Sequence, residues 1–132
     1  MKRSEWQKAK ADAAKLNGNK PVKFAKDLNL GPALDTFHAA EKKLEATNSF
    51  EKPKAYLTVG AQWLAARQKV LLAATAYAET LNKNQAQGEA AARAKLSMAL
   101  TKLLNVVSAQ RAAKAETVTK NIARIKAGAA TK

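Results

Sequence analysis

One histidine, His38, sits among carboxylates: Asp35 three residues before it, Glu41 three after it and Glu45 seven after it. On a helix these residues share a side, and a carboxylate three residues from a histidine is a metal-ligating pattern. Helical di-metal sites need two such pairs and two further Glu. One histidine cannot complete that set in a single chain. The expectation is therefore a solvated acidic helix face with a histidine at its edge, and no metal site. Nucleophilic chemistry has equally little to work with. There is no Cys, the Ser residues lack a glycine-elbow context, and a Ser–His pair would have to recruit His38 from a distance. No Gly-rich phosphate loop is present. No catalytic residue, cofactor or small-molecule substrate is implied, and the chain reads as a non-enzyme.

The basic residues carry more information. The formal net charge is +14, with a nearly neutral middle between two basic ends. Such a charge attracts polyanions: an acidic protein face, nucleic acid or anionic lipid. Lys greatly outnumbers Arg. Lys is a hydrated point charge, whereas Arg is the fork that reads phosphate and guanine edges, so recognition by this charge is expected to be weakly specific. Candidate polyanion-binding residues lie at both ends. Lys2, Arg3, Lys8, Lys10 and Lys15 belong to the first helical segment, and Lys95, Lys102, Lys120 and Arg124 line the solvated side of the last. A second group faces the other way. At 100° per residue Arg67 falls within an apolar face, as does Arg111, with Lys114 at the edge. Together with the Val118, Ile122 and Ile125 stripe they form a candidate interface for an acidic group of a partner. Snorkelling, with packed stems and charged heads at the rim, is the plainer account of the same residues.

The elements that would position these groups are helical. Ala supplies 31 residues of the 47% apolar fraction, and Ala, Leu, Lys, Gln, Glu and Arg are the strongest helix formers. Large aliphatic residues are few, so long helices with closely spaced axes are expected rather than a thick core. A first helix is predicted from about Glu5 to Leu16, with Ser4 and Gln7 as a capping box and Asn17-Gly18 as its stop. Residues 18–31 form a connector with room for a short helix around Phe24 to Leu28. A second helix is predicted from Pro32 to about Thr47, with Leu30, Leu34, Phe37 and Leu44 on one face.

A third helix spans about 53–82. Tyr56, Trp63, Val70 and Tyr77 recur every seven residues along it, and Leu57, Leu64, Leu71 and Ala78 follow one position later. That stripe is wide enough for two neighbours, and its aromatics read as core rather than as a ligand wall. Residues 82–88 are polar and read as a turn. A fourth helix is predicted over 89–127, ending before Gly128, with Leu96, Leu100, Leu103, Leu104 and Val107 followed by Val118, Ile122 and Ile125. Gly60 should allow close approach of a neighbouring axis.

The expected architecture is an all-α antiparallel bundle. A long hairpin of about 53–82 and 89–127 dominates it, with two shorter N-terminal helices. It reads as one domain over 1–132: helix and connector (1–31), bundle core (32–127) and basic tail (128–132). No apolar run reaches the length of a membrane span, and the opening residues are charged rather than an apolar leader, so the expected location is cytoplasmic or inside a larger particle. The functional expectation is an interaction or assembly module in a homo-oligomer or in a larger complex with an acidic partner surface. Sequence-tolerant nucleic-acid binding, as in a packaging or virion-internal protein, is the alternative. Adhesion to an anionic membrane surface is a weaker third, because no aromatic follows Tyr77.

Overall fold

The computed structural model describes residues 2–24, 29–83 and 86–130. The elements are α1 (Arg3–Leu16), β1 (Lys23–Phe24), α2 (Leu30–Glu45), α3 (Pro53–Asn82), β2 (Ala86–Gln87), α4 (Ala90–Leu104), a π-helical segment (Asn105–Gln110) and α5 (Ala112–Ala130). The protein is an all-α bundle organised on α3. Helix α2 packs along α3, α1 packs along α4, and α3 also receives α4 and α5. The seven-residue stripe does what its spacing requires. Tyr56, Trp63, Val70 and Tyr77 are all buried, as are Leu96, Leu100, Leu103 and Val107 on the returning arm. Leu64 and Leu71, one position off the stripe, are half-buried against the same core.

The helix ends differ in detail from expectation. Helix α1 starts at Arg3, so Ser4 lies inside it and the capping box with Gln7 does not form; Lys2 is the N-cap, without a side-chain bond. The stop works as predicted. Gly18 has φ +64, a left-handed conformation that costs glycine nothing. Asn17 does more than stop the chain. Its Nδ2 donates to the Lys20 carbonyl, and its Oδ1 accepts the Glu89 backbone N–H at 2.8 Å, so one side chain ties the end of α1 to the start of α4. Helix α2 begins two residues early, at Leu30, after Asn29 in the left-handed region at φ 53.

The described parts of the connector and of the 82–88 turn pair with each other. Lys23 pairs with Gln87 and Phe24 with Ala86 in a short antiparallel ladder. The Phe24 ring stands edge-on to Tyr77 at 4.7 Å between centroids, and Trp6 meets Tyr77 from another side at 5.6 Å. The remainder of the short helix envisaged around Phe24 to Leu28 lies outside the described residues.

The largest correction concerns the returning arm. It is two α-helices joined by the π-helical turns of Asn105–Gln110, not one straight helix over 89–127. The cause lies partly in the local sequence. Asn105, Val106, Val107 and Ser108 are weaker helix formers than the Ala, Leu, Lys and Arg around them. The rest is tertiary: Arg67 on α3 donates Nε to the Val107 carbonyl at 3.2 Å and extends its terminal nitrogen to the Ser108 carbonyl at 3.4 Å. A side chain inserted into the i→i−4 ladder is a recognised cause of a wide turn. Beyond it α5 continues through Gly128 to Ala130, past the expected end. Among the described residues no helix is long and apolar enough to cross a membrane.

Candidate binding surfaces

Glu41 is the chemical centre of the bundle, and it is not on a solvated face. Leu30, Leu34, Phe37 and Leu44 leave a gap in their alternating spacing of four and three, and Glu41 fills it. The register therefore carries its carboxylate inward, where it is buried. Oε2 accepts the indole N–H of fully buried Trp63 at 3.0 Å. Oε1 meets the Arg111 guanidinium at 3.1 Å and lies 3.8 Å from Lys114 Nζ. Lys114 also pairs with Glu45 at 3.1 Å and sits 5.7 Å from the Trp63 ring centroid. A buried carboxylate is tolerated when its lone pairs are met this completely.

This network dissolves the metal-like constellation around His38. Asp35 is held by Arg3 at 2.7 Å, Glu45 by Lys114, and Glu41 by the indole and Arg111. His38 lines a recess with Lys2, Arg3, Ser4 and Asp35. Among the described residues, no group of three or more metal-ligating side chains comes together.

The six residues expected to face a partner are engaged within the chain. Arg67 holds the π-helical carbonyls, and the acid that Arg111 and Lys114 meet is their own chain's Glu41. Val118 is buried, and Ile122 and Ile125 pack on the same core. Gly60 makes this seat. A Cβ at that position would come within 3.1 Å of Ile122 Cδ1 and 3.3 Å of Val118 Cγ1, so a larger residue would require those side chains of α5 to shift by a few tenths of an ångström. Asn121 Nδ2 donates to the Tyr56 hydroxyl at 3.2 Å. Arg124 stacks 4.0 Å from the Phe50 ring centroid and donates to Ser49 Oγ at 3.0 Å. These six residues form the internal seat of α5, and sequence periodicity alone could not tell that seat from an external one.

The nine basic residues expected to bind polyanions are dispersed. Lys8, Lys95 and Lys102 converge on a groove of about 380 Å³ between α1 and α4, but Glu5 and Asp12 line it too. Lys2 and Arg3 lie at the start of α1 beside Asp35, Lys10 borders a recess next to Trp6 and Tyr77, and Lys15 is exposed in the last turn of α1. Lys120 pairs with Glu116 at 3.1 Å, and Arg124 is committed to Phe50 and Ser49. The π-helical segment lies between Lys95 and Lys102, beside α1, and Lys120 and Arg124, of which Arg124 reaches the α2–α3 turn. No single straight ladder runs along the arm.

A surface that the sequence reading did not single out lies on the opposite side of the α2–α3 pair. Pro32, Ala33 and Thr36 of α2 and Ala66, Lys69, Leu72, Ala73 and Ala76 of α3 line an apolar groove of about 620 Å³. It shares Thr36, Ala66 and Lys69 with a second hollow of about 440 Å³ that extends to Lys43 and Gln62. Leu72 stands at its lip, 60% exposed. The available signal was the run of Ala on the far side of the aromatic stripe, but composition alone does not distinguish a groove from an ordinary Ala-rich surface.

No protein family, curated protein or solved structure matches this chain.

Proposed function

We propose that this protein is a non-catalytic helical interaction module that assembles with an acidic protein partner. The observation that carries the reading is the α2–α3 groove: a long apolar hollow with an exposed leucine at its lip and, among the described residues, lysines as its only charged lining. Apolar hollows of this kind with a like-charged rim are what an oppositely charged segment covers. The rest of the charge favours the same partner. The chain's acids near α5 are spent on internal pairs, while the net charge stays at +14. That charge steers acidic partners in and keeps like-charged copies apart. This favours a complex with a different, acidic protein over a homo-oligomer.

Nucleic acid is the second reading, favoured by the convergence of Lys8, Lys95 and Lys102 on one groove and opposed by Glu5 and Asp12 in the same groove. Membrane adhesion has less support, because the apolar side of α5 is used against Gly60 and the core. One pair of measurements separates the readings. Light scattering should give a monomer. Anisotropy at low and moderate salt should show binding to an acidic polypeptide and little to duplex DNA. Micromolar DNA binding with a steep salt dependence, and none to the polypeptide, would replace the acidic-protein reading with the nucleic-acid one.

A further inference from the structure

We infer that the α2–α3 groove receives one amphipathic α-helix of the partner, about four turns long, with a stripe of small or apolar residues facing down and acidic residues on its flanks. This rests on the acidic-partner reading and specifies its occupant.

The shape argues for a helix. The two hollows run together along α3 from Gln62 to Ala76, about 21 Å at the α-helical rise. About 14 residues of a docked helix cover that length. The floor is made of Ala66, Ala73 and Ala76 from α3 and Ala33 from α2. Short side chains let a third helix approach to roughly 8 Å between axes, the near end of the packing range. The same bundle already uses this solution once, where Gly60 admits Val118 and Ile122 of α5. Leu72 adds a large apolar side chain at the lip, and it stands proud of the core rather than in it.

The charge argues for the sign. Lys69 borders both hollows and Lys43 the second, and among the described residues no Asp or Glu lines either. On the α5 side every inward cation meets a carboxylate or a carbonyl. On the groove side the two lysines form no ion pair among the described residues. A second copy of this chain, itself at +14, would bring more lysines to this rim. Acidic flanks on a foreign helix match it.

The test uses the full chain and three fluorescein-labelled synthetic peptides of equal length. The first is an amphipathic helix with an Ala/Leu stripe and Glu flanks, the second the same composition scrambled, and the third the stripe with Lys flanks. The striped Glu peptide should bind about tenfold more tightly than the scrambled one. Thr36→Trp adds a ring where both hollows meet, at an exposed position. It should abolish the preference for the stripe while circular dichroism shows an unchanged melt. The pair Lys43→Glu and Lys69→Glu should weaken the Glu peptide and strengthen the Lys peptide, a reversal that general unfolding cannot produce. Equal binding of striped and scrambled peptides, or wild-type binding by Thr36→Trp, would overturn the groove while leaving an acidic partner in place. A dimer dissolved by Thr36→Trp would make the occupant a second copy. Failure of every acidic peptide to bind at low salt would remove the acidic-partner reading itself.

Discussion

The α2–α3 pair has two long sides, and the protein treats them differently. One side carries Gly60, Trp63 and Arg67 and is covered by α5 and the π-helical turns. There the central charges are paired: Glu41 with an indole, Arg111 and Lys114, and Arg67 with two carbonyls, although the Arg111 Nε–H has no hydrogen-bond partner among the described residues. The other side carries Ala66, Lys69, Leu72 and Ala73, is hollow, and keeps its lysines at the rim. The closed side sets one small residue, Gly60, beside the large Trp63 and Arg67, and the open side sets Leu72 among alanines. What distinguishes a closed side from an open one is whether the chain supplies the complementary helix and the complementary charge. The open side is where the proposed partner helix would supply both.

Substitutions can sharpen or break that contrast. The largest effect should come from Trp63→Ala, which empties the centre of the closed side; loss of a buried aromatic costs about 3–5 kcal/mol. In a chain with so few large apolar residues this should abolish a cooperative thermal transition. A retained sharp melt would show that the closed side is not the stabilising one. Glu41→Ala should come next. It strips partners from the Trp63 N–H and the Arg111 guanidinium at once, and unsatisfied buried donors cost about 1–3 kcal/mol each. Urea titration should show a lower midpoint for Glu41→Ala than for Glu41→Gln, which keeps an acceptor for the indole.

Gly60→Leu should cost about 1–3 kcal/mol by overpacking against Ile122 and Val118. Its signature should be local: faster amide exchange in α5 than in α2. Uniform exchange across the bundle would mean that α5 is not a separable cover. The smallest effect is on the open side. Leu72→Ala should shift stability by less than about 0.5 kcal/mol, as exposed positions do. A large loss for Leu72→Ala in the isolated chain would make the groove part of the core and end the contrast.

Several features of this contrast were legible in the residues. The seven-residue recurrence of Tyr56, Trp63, Val70 and Tyr77 named the buried line of α3 correctly, because a helical period maps directly onto a face. Gly60 was legible as a point of close approach for the same reason. Glu41 departs from the expected solvated face. Its neighbours Asp35, His38 and Glu45 give the segment an acidic character, but the spacing of Leu34, Phe37 and Leu44 places position 41 inward. Helical register prevails there over residue type. Arg67, Arg111 and Lys114 were recognised as anomalous cations on apolar faces, but their partners are 40, 70 and 69 positions away, at Val107, Glu41 and Glu45, and no local pattern encodes such pairings.

By itself the sequence determined that the chain is helical, where the helices run to within a few residues, which faces are apolar, and that the whole is strongly basic. These follow from backbone propensity, from the 3.6-residue period and from counting charge, all of which act over a few residues or over none. The tertiary structure completed the break at Asn105–Gln110 that weak local propensity allowed, and it alone decided that Glu41 gathers Arg111, Lys114 and Trp63 and that one side of α2–α3 is covered while the other stays open. Each of those depends on which helix lies beside which, and that is set by the summed packing of the whole bundle. A wide turn, a buried carboxylate and an empty groove become favourable or costly only through neighbours that are distant in sequence.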